Sequence, residues 1–95
     1  MGAVVIVNIE AKLGKSTEAL EVIKKSQQLC LSTDGCADFK ILQSQEDKHK
    51  FSFVERWVSA ETHKAFVEQL MSDEAFVASM DVFTSGPEIA YFDEV

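Results

Sequence analysis

The chain has 95 residues, 46% hydrophobic and 26% charged, with a formal net charge of −7. A length just under the usual span of about 100–200 residues per domain predicts one domain over residues 1–95, and the apolar fraction excludes a disordered chain. Sixteen acidic side chains against nine basic ones, with Arg56 the sole arginine, repel phosphate backbones and anionic lipid, so no nucleic-acid and no membrane partner is expected.

No stretch approaches the roughly 20 apolar residues that span a bilayer. The longest uninterrupted apolar run is residues 3–7, and it follows Met1-Gly2 without a basic leader. The reading is therefore a cytoplasmic protein without a signal peptide. Cys30 and Cys36 are then expected as reduced thiols. Their spacing is not CxxC, and no His or Cys pair stands near them to complete a zinc set. They read as small buried hydrophobes, with a disulfide or redox pair as the alternative.

In chain order, residues 3–12 read as a strand, with Val5, Val7, Ile9 and Ala11 on one face and Asn8, Glu10 and Lys12 on the other. Gly14 breaks it, and Ser16 is the expected cap of a helix over residues 16–32, whose stripe is Leu20, Ile23, Gln27, Cys30 and Leu31. Thr33-Asp34-Gly35 stops that helix. Residues 36–44 read as a second strand with Ala37, Phe39 and Ile41 on one face, then a polar hairpin loop over 45–48. His49 beside that loop is expected to be solvated. Residues 51–58 form a third strand, with Phe51, Phe53, Glu55 and Trp57 on one face. Ser59 caps a second helix carrying His63, Phe66, Val67 and Leu70 on its stripe, Ser72-Asp73 is a fresh cap, and Phe76, Val77, Met80 and Phe83 continue as a short helix. Gly86-Pro87 ends it, and residues 89–93 form the last strand with Ile89 and Tyr91 on one face.

The order is β-α-β-β-α-β, the α+β ferredoxin-like pattern of two helices on a four-stranded antiparallel sheet. The uncovered face should be polar in a monomer. Instead strands one, three and four carry apolar residues on both faces, which predicts a homodimer packed sheet against sheet.

With its elements placed, the chain resembles the antibiotic biosynthesis monooxygenase family of dimeric α/β barrels. The resemblance starts at the first strand and Gly14-Lys15 and runs through Asp34-Gly35-Cys36. It is strongest over residues 51–66, FSFVERWVSAETHKAF, similar to the family's F…E.W.S.E.H..F stretch, and ends at Gly86-Pro87-Glu88-Ile89. It implies the ferredoxin-like unit, pairing through sheets, and in some members oxidation of phenols, quinols or anthrone-like rings by molecular oxygen with no cofactor. Other members degrade haem or act on small carbonyl compounds. The haem branch expects a Trp where Gln69 stands and a ligand His where Met80 stands, so haem degradation is disfavoured.

Oxidation without a cofactor needs an apolar cavity, a proton acceptor and donors for a developing oxyanion. His63 is the candidate base, since its ordinary pKa suits proton transfer near neutrality and the resemblance puts a His in that motif. The alternative is a core histidine bonded to a neighbouring strand. Candidate substrate-binding residues are Asn8, Trp57, Phe66, Phe76, Met80 and Tyr91: an aromatic and thioether wall, an indole N–H, an amide and a phenol. Glu55, on Trp57's face, could hold His63 in one tautomer. The expected ligand is a small aromatic molecule, with no cofactor and no metal. A non-catalytic binding module, or an isomerase or lyase on a small carbonyl compound, are the alternatives.

Overall fold

The computed structural model describes residues 2–95. The elements are β1 (Ala3–Glu10), α1 (Ser16–Leu31), β2 (Cys36–Gln43), β3 (Lys50–Trp57), α2 (Ala60–Met71), α3 (Glu74–Ser79), a 3-10 turn (Met80–Val82) and β4 (Glu88–Phe92). The strands form one antiparallel sheet in the order β2-β3-β1-β4, the ferredoxin-like α+β topology.

Register follows from alternation. Val5, Val7 and Ile9 of β1 lie opposite Glu55, Phe53 and Phe51 of β3, and Val5 and Val7 lie opposite Tyr91 and Ile89 of β4. Of these, Val5, Val7, Ile9, Phe51 and Phe53 form the core with Trp57, Ile23 and Phe66, and Tyr91 packs against it. The opposite face of the sheet carries Val4, Ile6, Val54, Leu42, Ala90 and Phe92, and no helix covers it. Leu42 and Phe92 are each about half exposed there.

Three local readings of the sequence are corrected. Ser16 is not the cap of α1. Lys15 takes that position with no side-chain bond, because Gly14 at φ 76° closes the preceding turn and the Lys15 carbonyl already accepts from Ala19 N–H. Ala37 does not share a face with Phe39. A bulge between Cys36 and Asp38 takes Ala37 out of the ladder, so Cys36 opposite Trp57 and Phe39 opposite Glu55 are the inward pair. His49 is half-buried rather than solvated. Its Nδ1 lies 3.2 Å from Asp47 Oδ1, and its Nε2 accepts from Gly14 N–H at 3.3 Å.

Two caps and one glycine position α2 and α3. Ser59 Oγ accepts from Thr62 N–H, and Asp73 Oδ1 accepts from Ala75 and Phe76 N–H. Gly35 follows α1 at φ 101°, and its carbonyl accepts from Val58 N–H at 2.8 Å. A Cβ at Gly35 would stand 2.6 Å from Thr62 Cγ2, so the start of α2 rests on a backbone that only glycine allows.

Candidate functional site

The inward slots of β3 hold three aromatic side chains and one carboxylate. Glu55 sits between Phe53 and Trp57 and is only 2% exposed. A carboxylate in that position is costly unless it has partners. Trp57 Nε1–H donates to Glu55 Oε1 at 2.8 Å, and the Cys30 thiol of α1 approaches the same oxygen at 4.0 Å. His63, on the inward stripe of α2 and equally buried, places Nε2 3.6 Å from Oε1.

The other imidazole nitrogen, Nδ1, is 2.9 Å from the Tyr91 hydroxyl on β4. Trp57 and Tyr91 both meet the His63 ring edge-on, at centroid distances of 5.3 and 5.5 Å. The ring is therefore fixed in position by two aromatic neighbours and by a hydrogen-bond partner at Nδ1.

Burial favours the neutral form of each titratable member. It pushes the Glu55 carboxyl up to about 7, partly opposed by the Trp57 hydrogen bond. It lowers His63 below its ordinary value. Burial raises Tyr91, with the Glu55 charge adding to the effect, and pushes the Cys30 thiol up too, so Cys30 is no thiolate nucleophile. A carboxyl that titrates near neutrality beside a neutral imidazole is a site that can accept or return one proton. Two arrangements satisfy it. Glu55 can be ionised with the His63 proton on Nε2 and the Tyr91 hydroxyl donating to Nδ1. Alternatively Glu55 is protonated, with the His63 proton on Nδ1 and directed at the Tyr91 oxygen.

Glu55 and His63 open onto a cavity of about 90 Å³ between the sheet and α1, α2 and α3. Its walls include Phe39, Phe53, Phe66, Phe76 and Met80, and Ser26 is the one other polar oxygen-bearing side chain among them. Ser26 Oγ–H is already donated to the Val22 carbonyl. Among the described residues no three His, Cys, Asp or Glu side chains converge as a metal site.

His63, Phe66, Phe76 and Met80 thus come together on the cavity wall. Trp57 and Tyr91 stand behind His63 rather than on the wall, and the Trp57 indole N–H is occupied by Glu55. Asn8 falls elsewhere. Even-numbered residues of β1 point to the open face, so Asn8 is exposed there, its Oδ1 accepting from Ser52 Oγ–H at 2.6 Å. Glu55 reaches the cavity itself, which understates it as a support for His63. The signal was in the sequence: a lone carboxylate in an inward slot of an otherwise aromatic strand face.

The family model of antibiotic biosynthesis monooxygenases matches residues 2–79. No curated protein matches the chain. Among solved structures, a protein from Bordetella bronchiseptica that carries the family's name is 16% identical, with a TM-score of 0.84 over 99% of this chain and 97% of its own. A conserved protein from Methanosarcina mazei Go1 is 18% identical, with a TM-score of 0.83 over 100% of this chain and 94% of its own. SnoaB, a cofactor-independent oxygenase from Streptomyces nogalater, is 11% identical, with a TM-score of 0.76 over 98% of this chain and 92% of its own. Identities this low establish a shared fold only, whereas the family match spans most of the chain. The chain belongs to the antibiotic biosynthesis monooxygenase family.

Proposed function

We propose that the protein is a cofactor-independent monooxygenase that oxidises a small phenolic or quinol-type aromatic with molecular oxygen. The observation that carries this reading is the buried Glu55–His63 pair opening onto an apolar cavity walled by aromatic side chains. Family membership and the likeness in fold to SnoaB support the same class of chemistry.

A phenol becomes a ready one-electron donor to oxygen once it loses its proton, so the protein's task is to take that proton in a dry site. The Glu55–His63 pair does so, and Tyr91 holds the imidazole in place through Nδ1. For a hydroquinone the balance is one oxygen atom inserted into the ring and the other released as water. The product is a hydroxyquinone, and all four electrons come from the substrate. Phe66, Phe76 and Met80 exclude water from the ring. The working unit in this proposal is a homodimer paired through the open sheet face.

Oxygen uptake by metal-stripped protein against a panel of hydroquinones, catechols and anthrones tests the reading. Uptake above the autoxidation rate is expected, falling on the order of a hundredfold or more in His63→Ala. Uptake unchanged by His63→Ala would overturn the role given to the pair. Saturable binding with no turnover on any substrate would reassign the protein as a small-molecule-binding module.

A further inference from the structure

The donors that reach Glu55 all converge on one oxygen. Trp57 Nε1 and Cys30 Sγ are directed at Oε1, and His63 Nε2 is nearest the same atom. Oε2 has no hydrogen-bond partner among the described residues. Yet among the described residues no side-chain nitrogen or oxygen sealed inside the protein lacks a partner. Oε2 therefore is not sealed. Glu55 is 2% exposed, so the space it reaches is the cavity it lines. A buried carboxylate that leaves one oxygen free calls for a donor from outside the chain.

The size of the cavity limits what can bring that donor. At about 90 Å³ it is smaller than the apolar cavity of roughly 150 Å³ that accepts benzene in an engineered protein. It is also well below the roughly 300 Å³ at which sites for drug-sized ligands begin. Its walls suit a flat ring. Phe39 and Phe53 lie tilted against each other with centroids 5.2 Å apart on the sheet side, and Phe66, Phe76 and the adaptable Met80 face them from the helices. Met80, an unbranched and adaptable side chain, is the wall that can yield to one ring. Three fused rings would require the helices to part.

We infer that the cavity selects compounds with a single aromatic ring bearing at least one O–H group, anchored by donation from that O–H to Glu55 Oε2. This rests on the oxygenase reading for its chemistry but not for its binding geometry. Simple phenols, hydroquinones and catechols fit. Fused-ring diols exceed the cavity, and single rings whose oxygen is methylated lose the anchor.

Anaerobic titration calorimetry of the full chain at pH 8, where Glu55 is ionised and the phenols are not, with phenol, anisole, hydroquinone and a three-ring hydroquinone tests this without turnover. Phenol and hydroquinone are expected to bind saturably, and anisole on the order of tenfold more weakly, the worth of one charge-assisted hydrogen bond. In Glu55→Gln the gap between phenol and anisole is expected to close by most of that factor. Should Glu55→Gln fail to fold, the phenol-to-anisole ratio on the unaltered protein decides alone. Anisole binding as tightly as phenol, no binding of either, or a three-ring hydroquinone binding more tightly than the one-ring compound would overturn the inference. Binding in the expected order with no oxygen uptake would retire the oxygenase reading and leave this inference standing. Uptake on three-ring substrates alone would do the reverse.

Discussion

Glu55 holds its proton to about pH 7 when folded, against an ordinary value of 4.5, because burial penalises the carboxylate. The consequence for stability has a definite sign. Below pH 4.5 the group is protonated in both states and costs nothing. As pH rises towards 7 the unfolded chain has already released the proton while the folded one keeps it, so stability is lost across that window, by about 3 kcal/mol in all. His63 acts in the opposite direction. Its pKa is depressed by burial, so its contribution is present above the ordinary value of 6.5 and is lost as pH falls below it. In Glu55→Gln the first effect vanishes and the second remains. Denaturant midpoints across this pH range should show the variant more stable than the parent at pH 8 and with a rising dependence through the His63 window. An unchanged pH profile would mean that Glu55 is solvated in solution.

At the scale of elements, the site depends on how α2 is launched from β3. Gly35 carries that junction, since its φ of 101° and the 2.6 Å approach of Thr62 Cγ2 leave no place for a Cβ. Gly35→Ala should cost about 2–3 kcal/mol, combining left-handed strain with overpacking. Because Thr62 is next to His63, chemical-shift changes are expected to spread into the His63 ring. A denaturation midpoint within error of the parent would show that the turn relaxes freely. This junction also marks where sequence reasoning succeeds and stops. Ser59 and Asp73 were legible as caps because a side-chain oxygen before a periodic stretch satisfies orphan N–H groups locally. The inward faces of β1 and β3 were legible because alternation of period two is a local pattern. The bulge at Ala37 was not, since an inserted residue leaves composition unchanged and alters only pairing with β3. The meeting of Glu55 with His63 was anticipated from their inward faces, whereas the approach of Cys30 to the same Glu55 oxygen was hidden, because it joins α1 to β3 through the fold rather than along the chain.

For the whole molecule, the shape leaves one face of the sheet uncovered. The extents are 40 × 31 × 19 Å, and the short axis is the thickness of one sheet and one helix layer, about 10 Å each. The far face of the sheet is thus bare, with Val4, Ile6 and Val54 at its centre and Leu42 and Phe92 about half exposed at its margins. Charges ring this apolar centre in both signs: Lys40, Lys50 and Arg56 against Asp38, Glu10 and Glu88. A two-fold axis through such a face can set each basic group near an acidic group of the second copy, which offsets the repulsion between two chains of net charge −7. Pairing would also brace β4. That strand is bonded to β1 alone and carries Phe92 outward next to Tyr91, which holds His63 on the inward side. Sedimentation at micromolar concentration is therefore expected to show two copies, and Val54→Asp to show one with its circular dichroism intact. The monomeric variant should also lose protection of the β4 amides from hydrogen exchange, because an edge strand without its cover opens locally. A parent protein that sediments as a monomer, or Val54→Asp that remains paired, would exclude the sheet face as the interface. Pairing that is lost without any change at β4 would separate the dimer from the Tyr91–His63 contact and leave the site independent of assembly.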